Sequence, residues 1–475
     1  MHSPSKGGYK SSPSGRYKVK VGIIGAGPAG LAAAKELVKS NGQIVIFDSN
    51  QRSGGQYWRH GVRDNFPDKR FANLINEKNI DWKFGSSIWQ VENLNPGFRI
   101  HYVVNHQSYA LDVEKILIAT GASERVLPFK NWTTPGVLTA GAAQSMAKEH
   151  KLLLGKSILI AGSGVFALPV AKSLMALAEE LGEKVTIGII EARSFIRWWR
   201  NIPGLILNPE KAIEALGYLQ FLKKNQIKRY SKRVVTEVIQ KSGEINAVRV
   251  AKVNNSMQLC AKDLEIPCDF LATSFGFIPD MTIASIMGIN RVYRTGDAVI
   301  DVDKNQRTSL VGVWAAGEVT GIGGHELAIT EGALAALDIL QRKQILLAAL
   351  LKWRRYRQRV FATGLARIYP INPNWITWQD DSVIICRCEE VSLKEISDSV
   401  TNLGADSARS AKLFTRAGMG LCQGRICQKN VQDITDRCAK FASGNSSFSG
   451  NISRDANRET IRPIGGVVTL GELSD

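Results

Sequence analysis

An α/β fold is predicted for this chain of 475 residues, because two segments repeat one order of elements: a β-rich run, a glycine-rich turn, a helix-forming run and a second β-rich run. The first segment begins at Lys18 and the second at Ser157. A further observation comes from the cysteines, since five of the seven fall between Cys386 and Cys438. The chain is therefore expected to contain two α/β units and a smaller cysteine-bearing domain.

Composition excludes several classes of protein. Hydrophobic residues make up 44% and charged residues 22% of the chain, as in ordinary globular proteins. The longest strongly apolar stretch runs only from Ile345 to Leu351, whereas a membrane-spanning helix needs about 20 residues, so no transmembrane segment is expected. The first residues are polar and basic and lack an apolar signal-peptide region. We therefore expect a cytoplasmic protein, with a peripheral position at the inner face of a membrane left open.

The net charge of +18 is concentrated in two segments of the chain. Residues 1–20 and 341–379 contain lysines and arginines but no acid, and the remainder is nearly balanced. This distribution argues against nucleic acid as a partner and fits a contact with another protein or with an anionic membrane. A solvated basic helix is the alternative for the second segment.

The first glycine turn has the spacing of a Rossmann-like dinucleotide-binding unit. Gly25 allows the tight turn, Gly27 lets the backbone approach a pyrophosphate, and Gly30 lets the following helix pack on the strand. That helix is predicted over residues 31–38. Asp48 ends the second strand, where it is placed to accept a hydrogen bond from a ribose hydroxyl. Alone, the pattern indicates a dinucleotide without saying which one.

The second glycine turn repeats this spacing with Gly162, Gly164 and Ala167. Glu191 is the corresponding ribose-type acid, and because a carboxylate repels a 2′-phosphate it favours NAD over NADP. Arg193 and Arg197 weaken that preference. Three interpretations stay open: a working NAD(P) pocket, a pocket for another adenine nucleotide, and a retained fold that binds no nucleotide.

The clustered cysteines suit metal ligation better than a disulfide framework in an unexported chain. Cys386 and Cys388 form a C-x-C pair, and Cys422 and Cys427 form a C-x₄-C pair. Four thiolates at this spacing fit a [2Fe-2S] cluster or a tetrahedral zinc ion. Ordinary thiols are expected at the remaining positions, Cys260, Cys268 and Cys438.

A distant strand ends in Ala-Gly-acid at Gly317 and Glu318, and a glycine-rich loop and a helix follow it. With the Ala-Thr-Gly turn at Gly121, this sequence resembles the two-dinucleotide-binding-domain flavoproteins related to glutathione and thioredoxin reductases. The resemblance implies that the Ala-Gly-acid strand binds the ribityl and pyrophosphate region of FAD, although Glu318 stands where that superfamily has Asp. The implied FAD-binding residues are Gly25, Gly27, Pro28, Ala29, Gly30, Asp48, Gly55, Gln56, Gly121, Gly317 and Glu318.

Residues 1–259 contain no cysteine, which excludes a redox dithiol beside the flavin. The segment from Gly54 to Arg59 occupies the corresponding place, and its aromatic residues either line the flavin ring or simply pack the loop.

The sequence around the four cysteines, CRCEEVSLKEI and TRAGMGLCQGRIC, resembles the bacterioferritin-associated-ferredoxin-like [2Fe-2S] fold. The resemblance implies one [2Fe-2S] cluster at these cysteines. An electron relay from a flavin also favours iron over zinc, because zinc has no redox chemistry.

The order of all these motifs resembles the FAD-containing subunit of bacterial opine oxidases and hydrogen cyanide synthases, a group that includes proline and hydroxyproline dehydrogenase subunits. It implies two Rossmann-like dinucleotide-binding domains, the second inserted in the first, and a small helical [2Fe-2S] domain. The implied function is that of an electron-transferring FAD/[2Fe-2S] subunit of a heteromeric dehydrogenase or oxidase for amino acids or secondary amines of the opine, proline, hydroxyproline, sarcosine or glycine type. The implied partners are a second FAD-dependent subunit of the amine-oxidase type, a small [2Fe-2S] protein, and a respiratory or other electron acceptor.

Two other functions stay open at this stage, and no catalytic residue is assigned. The first is a stand-alone NAD(P)H-dependent reductase, in which hydride enters through the Gly162 turn. The second is a non-enzymatic assembly or iron-storage partner that uses the cysteine domain for docking.

The expected domain boundaries follow from the motif positions. They are residues 1–18 for a flexible basic tail, 19–125 and 280–342 for the FAD-binding domain, 126–279 for the second nucleotide-binding domain, 343–380 for a basic helical linker, 381–443 for the [2Fe-2S] domain and 444–475 for a C-terminal strap.

Overall fold

The structure is a computed structural model that describes residues 20–40, 42–61, 66–342, 344–371, 373–442, 465–466, 468–469 and 471. The tail predicted at 1–18 and most of the strap predicted at 444–475 lie outside the described residues. The α-helices span Pro28–Leu37, Ala140–His150, Ala167–Leu181, Ile202–Leu207, Pro209–Lys224, Thr282–Ile286, His325–Ile339, Ile345–Ile368, Leu393–Thr401, Ala408–Thr415 and Gln428–Ala442. Short 3-10 helices span Ala72–Asn76, Phe195–Asn201, Glu318–Thr320 and Pro373–Trp378.

The first unit is built on a parallel five-stranded sheet. Its strands lie in the order Val313–Ala315, Lys115–Ile118, Lys20–Ile24, Gln43–Asp48 and Ile80–Phe84. The sheet therefore takes strands from both sides of the second unit along the chain. This strand order confirms the prediction that the second α/β unit is inserted in the first.

The second unit has its own parallel five-stranded sheet. Its strands lie in the order Lys228–Ser231, Thr186–Glu191, Ser157–Gly162, Phe270–Ser274 and Val137–Thr139. The interior residues of the three central strands are nearly all buried, as expected for parallel strands that are covered on both faces.

The chain crosses between the two units along a single short ladder. Strand Ala122–Glu124 pairs antiparallel with strand Phe277–Pro279, so that Ala122 lies opposite Pro279. The other strands form smaller antiparallel sheets. Two of these sheets have three strands each, in the orders Ser87–Asn93, Phe98–Val104, Gln107–Val113 and Arg233–Lys241, Glu244–Val253, Leu259–Pro267. Two-stranded pairs are formed by Arg291–Arg294 with Asp297–Ile300 and by Ile384–Cys386 with Val391–Ser392.

Two helices of the first unit approach each other closely because small residues meet between them. A Cβ atom on Gly332 would lie 2.1 Å from the carbonyl oxygen of Ala29, so only glycine fits at this contact. Helix Pro28–Leu37 is buried along most of its length against helix His325–Ile339. The glycine loop that precedes the first helix is thereby held by the helix that follows Gly324.

The cysteine domain is a small helical unit, as predicted, and the structure adds a short hairpin at its start. Ser392 caps helix Leu393–Thr401 through a reciprocal capping box with Glu395. The domain's apolar core extends to Leu127 and Phe275, on the two chain segments that adjoin the crossing ladder. The cysteine domain therefore packs directly on the junction between the two nucleotide-type units.

In the described part of the chain, no helix is both long enough and apolar enough to traverse a bilayer.

Candidate functional site

One cavity of 2110 Å³ runs between the two α/β units and reaches the cysteine domain. Its walls include Gly27 and Glu318 from the first unit, Gly164 and Glu191 from the second, and Gln428 at the start of the helix after Cys427. Members of the two nucleotide sites that the sequence assigned thus share one space, although Gly30, Gly162 and Ala167 do not line it.

The first glycine loop forms a cradle in which side chains have no room. Gly25 has φ +109°, and a Cβ atom there would lie 2.2 Å from the carbonyl oxygen of Ala119. A Cβ atom on Gly55 would lie 2.9 Å from the Cα atom of Gly27. At Gly27 itself the space is open, since a Cβ atom would meet only Gly55 at 4.0 Å among the described residues and would project into the cavity. This cradle, at the N-terminus of helix Pro28–Leu37, fits a pyrophosphate.

Asp48 is a buried carboxylate that holds the loop around it. Its Oδ2 accepts a hydrogen bond from the Ala26 backbone N–H at 2.7 Å, and its Oδ1 accepts two from Asn50 at 2.8 Å each. A carboxylate accepts about four hydrogen bonds, so one position remains for the ribose hydroxyl that the sequence predicts. Asp48 also lines the cavity, and its contact with ribose stays a prediction.

Glu318 binds its own loop at the start of the helix that faces the cavity. Its Oε1 accepts hydrogen bonds from the backbone N–H of Gly324 at 2.7 Å and of Gly323 at 3.3 Å. Burial raises the pKa of Glu318, and these two hydrogen bonds partly oppose the rise. The extra methylene relative to Asp lets the carboxylate reach this loop. A direct contact of Glu318 with the ribityl chain stays a prediction.

Behind this loop lies a buried ionic cluster that sequence patterns did not indicate. Glu331, which is fully buried, accepts hydrogen bonds from Arg355 Nε at 2.9 Å, from Arg359 Nη2 at 2.7 Å and from Thr320 Oγ1 at 2.8 Å. Although burial opposes ionisation, the two guanidinium groups hold the pKa of Glu331 below its usual range. Arg359 also donates to the Gly321 carbonyl at 2.8 Å and so fixes the loop that follows Glu318.

The two aromatic residues of the loop after Gly54 lie in different environments. Tyr57 lines the cavity and stacks on His325, with ring centroids 3.9 Å apart, and burial raises the pKa of Tyr57 to about 12. Trp58 instead belongs to the core of the first unit. Trp58 therefore packs the loop, and a contact of Tyr57 with the flavin ring stays a prediction. The predicted site residues Gln56 and Gly121 also line the cavity.

The second glycine turn retains the form of a nucleotide loop. A Cβ atom on Gly162 would lie 1.6 Å from the Ser274 carbonyl oxygen, whereas the space at Gly164 is open. Ser163 Oγ is buried and has no hydrogen-bond partner among the residues that the structure describes. A phosphate oxygen would satisfy this hydroxyl.

Arg229 is a charged residue of the second site that the sequence motif did not reveal. It donates to Glu191 Oε2 at 2.7 Å, because parallel pairing brings strand Lys228–Ser231 beside the end of the Glu191 strand. Arg193 and Arg197, which the sequence placed near Glu191, donate instead to Asn255. The positive charge beside the ribose-type acid therefore comes from Arg229.

The four predicted ligand cysteines come together in the cysteine domain. Cys386 and Cys427 are buried, and the Gly418 backbone N–H donates to Cys386 Sγ at 3.4 Å. A hydrogen bond between Cys422 and Cys427 lowers the pKa of the Cys422 thiol to about 4 and raises the pKa of the Cys427 thiol. The pKa of the neighbouring Cys388 thiol is also raised. Among the described residues, no three metal-binding side chains are arranged around a single ion position.

Glycines shape this thiol site in a way that fits a cluster. A Cβ atom on Gly420 would lie 2.3 Å from Cys388 Cβ, so the loop approaches the first cysteine pair as closely as a chain can. A [2Fe-2S] cluster takes four cysteine thiolates, and backbone N–H donors to the sulfurs tune its potential. Cys386, Cys388, Cys422 and Cys427 remain the four thiolates predicted to hold it. Cys260, Cys268 and Cys438 are free cysteines that the structure leaves outside this set.

The fold and site together define a class: flavoprotein oxidoreductases with two nucleotide-type units, here joined to a cysteine domain. The chain belongs to the pyridine nucleotide-disulphide oxidoreductase family, whose model matches residues 19–335. A BFD-like [2Fe-2S] binding domain matches residues 384–437. The protein is therefore a flavin oxidoreductase that binds FAD and a [2Fe-2S] cluster, as predicted.

Individual relatives agree with this assignment and with the resemblance found in the sequence. The chain is 28% identical to an opine oxidase subunit from Rhizobium meliloti over 95% of this chain and 98% of the relative. It is 30% identical to hydrogen cyanide synthase subunit HcnB of Pseudomonas aeruginosa over 85% of this chain and 90% of the relative. The fold matches that of L-proline dehydrogenase from P. horikoshii with a TM-score of 0.65 at 20% identity, over 96% of this chain and 79% of the other. The first two relatives are named as subunits, which implies that partner subunits exist.

Proposed function

We propose that this chain is the electron-transferring FAD/[2Fe-2S] subunit of a heteromeric dehydrogenase or oxidase that acts on amino acids or secondary amines. The observation that carries the proposal is the continuity of the cavity from the Gly27 cradle to Gly424 and Gln428, on either side of the ligand Cys427. When bound, FAD accepts an electron pair and releases it in the single steps that a [2Fe-2S] centre requires.

The chain's own residues would bind and orient the two groups. The Gly27 backbone and the N-terminus of helix Pro28–Leu37 bind the pyrophosphate, and the loop held by Glu318 presents the N-terminus of helix His325–Ile339 to the flavin. Arg359 keeps that loop in place. The core around Trp58 excludes water from one side of the cradle.

The finer features of the complex belong to the same proposal. The donor is of the opine, proline, hydroxyproline, sarcosine or glycine type, and it is oxidised by a second FAD-dependent subunit of the amine-oxidase type. A small [2Fe-2S] protein completes the complex, and a respiratory or other acceptor receives the electrons. The names of the relatives matched along nearly their whole length, an opine oxidase subunit and a hydrogen cyanide synthase subunit, support this proposal.

Reconstitution tests whether the chain is such a subunit. The isolated chain is screened with proline, hydroxyproline, sarcosine, glycine and opines and an artificial dye acceptor, and the screen is repeated with candidate proteins of the amine-oxidase type. We expect dye reduction only when the second protein is present. Robust turnover of any of these donors by the single chain would overturn the proposal.

A stand-alone NAD(P)H-dependent reductase is the second candidate. The hydroxyl of Ser163, which has no partner in the described part of the chain, lies beside the open space at Gly164 and favours it. The ion pair between Arg229 and Glu191 weighs against an NAD-specific pocket, because Glu191 already has a strong donor. Anaerobic titration of the holoprotein with NADH separates the two candidates. Bleaching of the flavin absorbance by NADH would favour the reductase.

A further inference from the structure

We infer that the outward face of helix Ile345–Ile368 is the docking site for the partner subunit, and that it binds through apolar contacts rather than through the charge of this basic segment. This inference rests on the proposed function. We call the surface the apolar face and define it by Ile345, Leu346, Ala349, Leu350, Trp353 and Tyr356.

The helix turns apolar side chains to solvent and charged side chains to the protein, the reverse of an ordinary surface helix. Its solvent side carries Leu346, Leu350 and Trp353, which are 87%, 60% and 52% exposed and follow the spacing of one helical stripe. Its inner side carries Arg355 and Arg359, which bind the buried Glu331. A surface helix ordinarily turns its polar side chains to water, so an apolar solvent side indicates a missing neighbour.

Four arginines of the helix are already engaged by the chain's own acids, two of them by Glu331. Arg354 binds Glu326, and Arg357 binds Glu210. The sequence alone favours the charge of this segment as the docking feature. The most exposed residues between 345 and 356, those of the apolar face, carry no charge, and the 43% exposed side chain of Arg354 is paired with Glu326. This suits an uncharged protein surface better than an anionic membrane.

Two neighbouring helices also expose apolar side chains. Helix Ile202–Leu207 packs against helix Ile345–Ile368 and adjoins helix Pro209–Lys224. It exposes 73% of Ile206, and the third helix exposes Ile213 and Leu216. An apolar area spread over three packed helices is typical of a protein–protein interface.

The location of the face identifies its occupant as a redox partner. Tyr356 belongs to the apolar face and also lines the cavity. The exposed residues Tyr57 and Leu219, which are not part of the apolar face, line the cavity as well. A protein bound here therefore covers the opening of the space that contains the Gly27 cradle. Trp353 and Tyr356 stack with ring centroids 5.7 Å apart, which presents the partner with two ordered aromatic anchors.

The test compares binding of the amine-oxidase-type subunit, the one that confers activity on reconstitution, to the full-length holoprotein and to two variants. Leu350→Glu places a charge in the apolar face, and Leu413→Glu places one at a 71% exposed leucine of the cysteine domain. We expect Leu350→Glu to weaken binding by at least about tenfold and Leu413→Glu to leave it unchanged. Both variants should retain the flavin and cluster spectra, and wild-type affinity should change little between low and high salt.

Each other outcome has a distinct meaning. If no subunit binds or activates the wild-type chain, the proposed function fails, and the docking inference fails with it. If the complex forms but Leu350→Glu binds normally, or if high salt dissociates the complex, only the docking inference is overturned. Sedimentation of the chain alone and with phosphatidylserine vesicles tests the other occupants. Self-association or vesicle binding that Leu350→Glu abolishes, with subunit binding kept, would assign the face to a second copy or to a membrane.

Discussion

The guanidinium of Arg125 donates to the carboxylate of Asp433 at 2.7 Å and so joins two buried side chains that are 308 residues apart in the sequence. Arg125 follows the crossing strand of the two α/β units, and Asp433 lies on the helix that begins after Cys427. Lys429 reinforces the contact by approaching both Asp433 and Asp297. All four side chains line the cavity, so this ionic group fixes the cysteine domain at the wall of the flavin space.

Replacement of Arg125 by Gln is therefore expected to destabilise the protein. The change removes the 2.7 Å partner of Asp433 and leaves Lys429 at 3.7 Å, and loss of one partner of a buried ion pair costs about 3 kcal/mol. Chemical denaturation measures the free energy of unfolding. The matched control is Arg99→Gln, in the exposed pair with Asp112, for which a loss below about 1 kcal/mol is expected. Equal losses in the two variants would contradict this account.

Replacement of Gly27 by Val is expected to abolish flavin binding. A Cβ atom at this position meets only Gly55, at 4.0 Å, among the described residues, so the fold should persist while the added side chain occupies the pyrophosphate cradle. The absorbance of the purified variant reports flavin occupancy. Gly217→Ala, in open space on helix Pro209–Lys224, serves as the control and should keep the flavin. Full occupancy in Gly27→Val would show that the loop is misassigned.

Replacement of Cys386 by Ser is expected to remove the cluster and leave FAD bound, because the thiol site and the glycine cradle lie in different domains. Electron paramagnetic resonance of the reduced protein detects the cluster. Cys260→Ser, at an exposed cysteine outside the ligand set, should retain the signal. Stoichiometric zinc without iron in anaerobically purified wild-type protein would refute the cluster assignment.

Glu326 is expected to make stability depend on acidity. Hydrogen bonding with His325, followed by Arg70, lowers the pKa of Glu326 from 4.5 to about 2. Ionised Glu326 therefore stabilises the folded state above pH 4.5, and this contribution declines as the pH falls from 4.5 to about 2.

The variant Glu326→Gln measures this contribution. It should unfold more easily than wild type by about 1–2 kcal/mol near neutral pH, a value reduced for solvent screening, and the difference should vanish towards pH 2. Glu180→Gln, in an exposed pair with Lys151, should show little difference at any pH. A pH-independent difference for Glu326→Gln would rule out the ionic origin.

The sequence predicted those features that depend on local sterics and spacing. Only glycine fits at Gly25, and the helix predicted over residues 31–38 is observed over Pro28–Leu37. The [2Fe-2S] domain was likewise predictable, because two short cysteine motifs mark it.

The contacts missed by the sequence are pairs between distant segments. Arg229 reaches Glu191 only because two strands are neighbours in a sheet, and Arg359 reaches Glu331 only because two helices pack. The basic, Trp-rich composition predicted a helical linker, but it could not predict that Arg355 and Arg359 turn inward to Glu331. The partner of a charged side chain is set by topology, which local patterns do not encode.

The short crossing ladder has a consequence for how this protein is assembled from modules. Because Ala122 lies opposite Pro279, the chain leaves the first sheet and returns to it at one place, and closing the excursion needs no linker. The second unit is therefore an excisable insert: a tight turn in its place would preserve every strand of the first sheet. The cysteine domain would not tolerate that deletion, since its core includes Leu127 and Phe275 from the two ends of the insert. The first sheet therefore does not need the insert, whereas the cysteine domain packs on it.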